Sequence, residues 1–486
     1  MPAWNLDLVT TKLYLQSSMA NIINIKKGLD LPIDGAAELR TTDARTIATY
    51  AVKPTDYVGL VPRLLVAEGD TVKAGDALFC DKKNERIRFC APVAGRVKAV
   101  VRGAKRLLLA VVVEKDETAV ATPLPQAENL KEQMLQCGLW TMLRQRPFGT
   151  VANPDDNPKA IVVSCFDSAP LAPDYDYLMK GREADFAHGI EALASLTNGK
   201  LHLCFRNGQK LMNQVAHTQA KNVELHIVNG PHPAGNVGTQ IAQLCPINKG
   251  EVVWTMNPQD IATLGHLVTT GMYCPERVIA VAGPQIKAPH YFRTYTGACV
   301  ETLVSGQASS SNYPKLEDSS TLSGNRLISG NILSGTQIDA NGYVGGYDSL
   351  LSILPEGDYY DFMGWLMPGL KKFSFSRTFL SGFFARCKKA QEMLPSCTKP
   401  LFDTNTHGEV RPFVFTGNFE QVFPFDIYPL QLIKACIIGD MELQENLGIY
   451  EVEPEDFALC EFIDTSKTDI QPIIREALET LRKEAM

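Results

Sequence analysis

Between Tyr57 and Glu114 the chain reads YVGLVPRLLVAEGDTVKAGDALFCDKKNERIRFCAPVAGRVKAVVRGAKRLLLAVVVE, short apolar runs broken by Gly-Asp, Ala-Gly-Asp and Ala-Gly. Such punctuation predicts brief strands joined by tight turns, and hence a compact all-β module. From Asn129 to Gly271 the period changes. Apolar runs AIVVSCF (160–166), LHLCF (201–205) and VELHIV (223–228) alternate with helix-like stretches such as ADFAHGIEALASLTN. That alternation predicts an α/β layer on a largely parallel sheet. The stretch Arg277 to Val304 carries short strands with Gly-Pro and Thr-Gly breaks, suiting a small β-grasp module, and Ser305 to Gly346 reads as loops between irregular strands. In DIQPIIREALETLRKE, Ile470, Ile473, Ile474, Ala477, Leu478 and Leu481 recur at helical spacing. The C-terminal domain is therefore expected to be mainly helical.

At 486 residues the chain is too long for one hydrophobic core. The boundaries fall at 1–18 (an extension or an upstream-start artefact), 19–125 (the β-rich module with an N-terminal strand), 126–275 (α/β), 276–350 (β-grasp) and 351–486 (mainly helical). With 47 basic and 54 acidic residues, net charge −7 and no long basic run, nucleic acid is not an expected partner. The longest apolar runs, such as Leu107 to Val113, fall far short of the roughly 20 residues that span a bilayer. The first residues lack a basic n-region and an apolar h-region, so a cytoplasmic location is expected. Twelve cysteines are present but no two form a C-x-x-C pair. Reduced, mostly buried thiols are expected, rather than a cluster, a zinc site or a disulfide framework.

Four strings carry a resemblance: KKGLDLPIDG (Lys26 to Gly35), GLWTMLRQRPF (Gly138 to Phe148), GPHPAGNVGTQI (Gly230 to Ile241) and RVIAVAGP (Arg277 to Pro284). Together, and in this order, they resemble the A-subunit family of the Na+-translocating NADH:quinone oxidoreductases, from Met19 to the C-terminus. More distant similarity runs to the NADH- and FMN-binding subunit of respiratory complex I and to the C subunit of the Rnf complex. The resemblance implies a biotinyl/lipoyl-like barrel-sandwich module, a Rossmann-like α/β domain, a ligand-binding-type β-grasp domain and a helical domain. It also implies a peripheral position in the complex, at the cytoplasmic face of the bacterial inner membrane. The expected partners are the other subunits, integral membrane ones included, and ubiquinone, in a respiratory pump that oxidises NADH, reduces ubiquinone and exports Na+.

The departures from those relatives matter as much. Where the relatives carry a glycine-rich FMN loop, this chain has Leu139, Trp140, Thr141, Met142 and Leu143, whose bulk leaves no room for backbone N–H groups to approach a phosphate. In place of two cysteine runs it has Asn418 to Leu432, with Phe423 before Pro424, and Asp456 to Ile470, where Cys460 stands among Phe457, Ile463 and Lys467. One thiol cannot hold a cluster that needs four. No cofactor is expected on this subunit; flavins and Fe-S are expected on the others. The alternatives are a lipoyl-like carrier using Lys82 of the hairpin Asp81-Lys82-Lys83-Asn84 and an FMN- and NADH-binding electron-input subunit.

Three further signals have two readings each. Gly235 and Gly238 could open a phosphate loop at a helix start, against a plain strand-to-helix turn entered by two prolines. His226 and His232 lack a carboxylate at ligand spacing, so no metal site is expected. Trp140, Phe148, Trp365 and Phe375 could line a quinone slot or a subunit interface, against an ordinary core role. No nucleophile–base pair or carboxylate dyad is legible, and no catalytic residue is expected.

Overall fold

The computed structural model describes residues 21–118, 127–215, 218, 220–305, 324–360, 363–364, 366–375, 379–381 and 400–484. The expected 1–18 extension and Trp365 lie outside them. Strand β1 (Asn21–Asn24) and strand β2 (Glu38–Asp43) open the described chain. The β-module follows with β3 (Thr49–Val52), β4 (Pro62–Leu64), β5 (Thr71–Val72), β6 (Ala77–Asp81), β7 (Arg88–Cys90), β8 (Gly95–Arg102) and β9 (Leu108–Lys115). These form a four-stranded sheet, β3-β9-β8-β5, and a three-stranded sheet, β4-β6-β7. Gly69 and Gly75 sit at φ 94° and 91° in the Gly-Asp turns, the left-handed region that glycine enters at least cost. Phe79 of β6 and Phe89 of β7 stack at 4.8 Å and are both fully buried.

The α/β unit contains α1 (Leu130–Cys137), β10 (Arg144–Arg146), β11 (Thr150–Val151), β12 (Ala160–Ser164), α2 (Glu183–Ala194), β13 (Lys200–Arg206), β14 (Val223–Asn229), α3 (Val237–Leu244), β15 (Val253–Thr255) and α4 (Pro258–Thr270). Its seven-stranded sheet runs β1-β14-β13-β12-β15-β10-β11, parallel from β1 to β15. Val-, Ile- and Leu-rich strands covered on both faces are what a parallel sheet requires.

A third sheet, β19-β18-β20-β16-β17-β2, is mixed. Its strands are β16 (Glu276–Ala282), β17 (His290–Tyr295), β18 (Asn325–Ser329), β19 (Thr336–Ile338) and β20 (Leu350–Pro355). The main C-terminal helices are α5 (Pro429–Ile438), α6 (Ala458–Ile463) and α7 (Ile470–Glu484). In α7, Ile470, Ile474, Ala477, Leu478 and Leu481 are buried, as their spacing predicts, while Ile473 is half-buried.

Two groupings differ from expectation. The N-terminal strand does not join the β-module: β1 pairs with β14 of the α/β sheet, and β2 with β17 of the mixed sheet. The boundary at 350/351 cuts through β20, which pairs with β16 and β18, so the helical unit begins later in the chain. In both cases a short strand satisfies its backbone on a sheet edge distant in sequence, and periodicity carries no record of which edge.

Candidate functional site

A cleft of about 350 Å³ opens where the α/β, mixed-sheet and helical units meet. From β12 the parallel sheet grows through β13 to β14, and then the chain returns to the other side of β12 to form β15. The loops leaving β12 and β15 therefore diverge, which makes the crevice beyond their carboxyl ends the switch point where open α/β sheets bind ligands. The loop after β12 supplies Asp167 and Tyr175, and the loop after β15 supplies Asn257. The mixed sheet adds Tyr347 and Asp348, and the helical unit adds Glu453, Glu455 and Arg475.

Charge dominates these walls. Arg144 lies 5.2 Å over the Tyr347 ring, and the Tyr347 hydroxyl donates to the Thr141 carbonyl at 2.7 Å. Arg475 donates to Glu453 Oε2 at 2.7 Å and to the Phe148 carbonyl at 2.8 Å. Behind the wall the Arg146 side chain, 4% exposed, donates to Asp456 at 3.0 Å and also to Glu455. Burial pushes Asp456 up to about 6, since one guanidinium is shared between two carboxylates, while the adjacent Arg146 holds Glu455 below its ordinary value. Burial likewise raises the Asp167 carboxyl.

The residues singled out in sequence fall in different places. Trp140 is 1% exposed, meets Trp254 edge-on at 5.5 Å and donates to the Ala152 carbonyl at 2.8 Å, so it is interior to the α/β unit. Leu139, Thr141, Met142 and Leu143 are buried beside it, and the segment expected to replace a glycine-rich loop is filled with side chains. Phe148 meets Tyr450 at 6.1 Å and packs, like Phe375, against the apolar cluster of the helical unit. The aromatic slot thus does not form as one group: Phe148 and Phe375 share a cluster that Trp140 does not enter.

The loop at Gly230 to Ile241 is packed against protein. A Cβ on Gly235 would stand 2.4 Å from the Ser168 nitrogen, and one on Gly238 would stand 2.4 Å from Asp456 Oδ1. Its glycines admit neighbouring backbone and a carboxylate from the helical unit at the first turn of α3, the end of a helix that favours an anion. The two runs expected to replace cysteine motifs also meet. Phe423 and Phe457 lie 4.8 Å apart, in one buried cluster with Cys460 and Ile463, and burial holds the Cys460 thiol well above its ordinary value. Ten described cysteines are free and eight of them buried. His226 and His232 do not come together: His232 pairs with Ser168 at 3.1 Å, whereas His226 meets His202, to which no local sequence signal joins it. A carboxylate does stand near His226 after all: Glu224, the Cα partner of His202 across the strands, two residues away on the same strand.

The whole chain has known relatives. Residues 23–116 match the NqrA N-terminal barrel-sandwich hybrid domain, 125–273 the NqrA second alpha/beta domain and 278–314 the NQRA C-terminal domain. The chain is 38% identical over 473 residues to the A subunit of the Na(+)-translocating NADH-quinone reductase of Yersinia pseudotuberculosis, covering 95% of this chain and 100% of that one. The corresponding proteins of Neisseria meningitidis and Pseudomonas aeruginosa are 37% and 38% identical with the same coverage. Among solved structures, a chain of an NAD+-reducing [NiFe]-hydrogenase aligns at 13% identity and TM-score 0.36, over 74% of this chain and 67% of that one. That likeness is too slight to build on.

Proposed function

Because the chain belongs to the A-subunit family of the Na(+)-translocating NADH-quinone reductases, we propose that it works as the docking subunit of that sodium-pumping NADH:quinone oxidoreductase, without a redox centre of its own. One observation carries the docking role. Of the 19 large hydrophobic residues exposed in the described structure, 12 lie between Tyr360 and Leu443. Leu366, Met367, Phe415 and Ile438 among them are more than 60% exposed. Exposed apolar residues concentrated in one stretch of the chain support a partner interface there. No described helix is long and apolar enough to cross a membrane. The partners proposed for this surface are the integral membrane subunits, at the cytoplasmic face.

The filled segment at 139–143 and the hydrocarbon contact between Phe423 and Phe457 support the absence of flavin and clusters. The quinone role is carried from Trp140 to the same C-terminal stretch, together with Phe375, which packs against the helical core. Leu366→Ser with Met367→Ser, both exposed and so without cost to the fold, tests the reading. Affinity purification after gentle detergent extraction is expected to lose the membrane subunits. Normal assembly with a raised quinone KM would assign the surface to quinone instead, and unchanged assembly and KM would overturn both roles.

A further inference from the structure

Across adjacent parallel strands β13 and β14 the register sets His202 opposite Glu224 and Cys204 opposite His226. Because side chains alternate with a period of two, His202, Glu224 and His226 all point from one face of the sheet. His202 Nδ1 lies 2.9 Å from His226 Nε2, and Glu224 Oε2 lies 3.5 Å from the first nitrogen and 3.9 Å from the second. A circle through three points with those separations has a radius of about 2.0 Å, the length of a zinc–imidazole or zinc–carboxylate bond. An ion near its centre would stand at bonding distance from all three atoms.

The chemistry of the three groups fits as well. Metal ligation needs neutral imidazoles and an ionised carboxylate at working pH. Burial holds His226 down to about 4 and lowers His202, while Lys200, paired with the other oxygen of Glu224, keeps that carboxylate below its ordinary value. As a hydrogen-bonded pair alone the two rings are poorly satisfied. Only one proton can lie between them, and Nδ1 of His226 is buried without a partner among the described residues whichever ring carries it. The side chain of Glu224 is 37% exposed, which leaves a solvent-facing fourth position for water. Cys204, on the same face, has its thiol held protonated by burial and stays outside the trio.

We propose that His202, Glu224 and His226 bind one divalent transition-metal ion, Zn²⁺ foremost, which clips β13 to β14. Two imidazoles and a carboxylate are the ligand set of a borderline ion rather than of Mg²⁺ or Ca²⁺, which take oxygen. The ion binds the folded sheet alone, so it stabilises the α/β unit by mass action.

The test uses the full chain without a histidine tag, stripped with EDTA and titrated with ZnCl2 by calorimetry, with Co²⁺ as a spectroscopic stand-in. One equivalent of Zn²⁺ is expected, with a rise in Tm on its addition and visible absorption from a low-symmetry Co²⁺ site. Glu224→Gln, half-exposed and so tolerant of change, is expected to weaken Zn²⁺ at least tenfold with the fold intact, and His202→Gln to abolish the Co²⁺ bands. Failure of the wild-type chain to bind, or binding that Glu224→Gln and His202→Gln leave unchanged, overturns the proposal.

Discussion

The α/β unit meets its neighbours with different proportions of hydrocarbon and charge. Towards the β-module and the mixed sheet the contact is mainly hydrocarbon, with the buried Arg277–Asp260 ion pair set into it. One buried cluster runs without a break from Phe79 and Phe89 through Trp140 and Trp254 to Ile279 and Leu351. Tyr57 bridges it, 4.5 Å from Phe89 and 5.4 Å from Tyr347. The helical unit instead keeps a core of its own, with Phe423, Phe457, Ile474 and Leu478, which Leu29, Phe148, Ala242 and Leu333 meet at its edge, and is tied to the rest also through Arg146 and Arg475. A hydrocarbon seam tolerates volume-conserving change and loses stability when volume is removed or added. A buried charged seam adds little net stability once desolvation is counted, but it penalises every arrangement in which a charge lacks its partner. The three N-terminal units thus share one continuous core, while the helices keep a second core that the Arg146 ion pairs join to the first.

The sharpest way to break that contrast is Arg146→Ala. It strands Asp456, which with Arg146 is almost completely buried, and a loss of about 3–5 kcal/mol in urea unfolding is expected. Replacing the trio together, as Arg146→Met, Glu455→Gln and Asp456→Asn, is expected to recover more than half of that loss. If the triple variant is no more stable than the single one, the seam is worth its own net energy and the contrast fails. On the hydrocarbon side, Gly138→Ala places a Cβ 2.9 Å from Cys90 at a φ of 80°, and a smaller loss of about 1–3 kcal/mol is expected by the same measurement. A Gly138→Ala cost above that of Arg146→Ala would reverse the ranking.

The smallest effect is in pH dependence. Asp456 titrates at about 6 in the fold against 3.8 as a free side chain, so the fold holds the extra proton between those values and its contribution to stability falls as pH rises through them. His226 and His232, lowered from 6.5 to about 4, bind protons more readily in the unfolded chain and contribute stability that grows over nearly the same window. The two trends oppose one another. Asp456→Asn removes the falling one, at most about 1.4 kcal/mol per pH unit, so its Tm is expected to climb more steeply than that of the wild-type chain from about pH 4.5 to 6.5. An equal or shallower climb would show that Asp456 is ionised throughout.

Much of the architecture was legible because it is written in periodicity. Alternation at 160–166, 201–205 and 223–228 became β12, β13 and β14, and the spacing from Ile470 to Leu481 became the buried stripe of α7. The filled segment at 139–143 could be read from bulk alone, since a phosphate needs bare backbone and Trp140 denies it. Local signals left Gly235 and Gly238 open, since small residues suit a phosphate loop and a close protein contact alike, and the close contacts come from Ser168 at the first and from Asp456, far along the chain, at the second.

The sequence by itself determined the order of the units, the type of most elements and the family, because each rests on residues near one another in the chain or on long strings compared whole. Tertiary structure alone decided where β1 and β2 pair, which guanidinium faces which carboxylate, and that His202 stands across from Glu224 and beside His226. Those facts depend on strand register and on the meeting of segments as much as 310 residues apart. A slip of one residue between β13 and β14 would send Glu224 and His226 to the opposite face from His202, and nothing in the local pattern of either strand specifies that register.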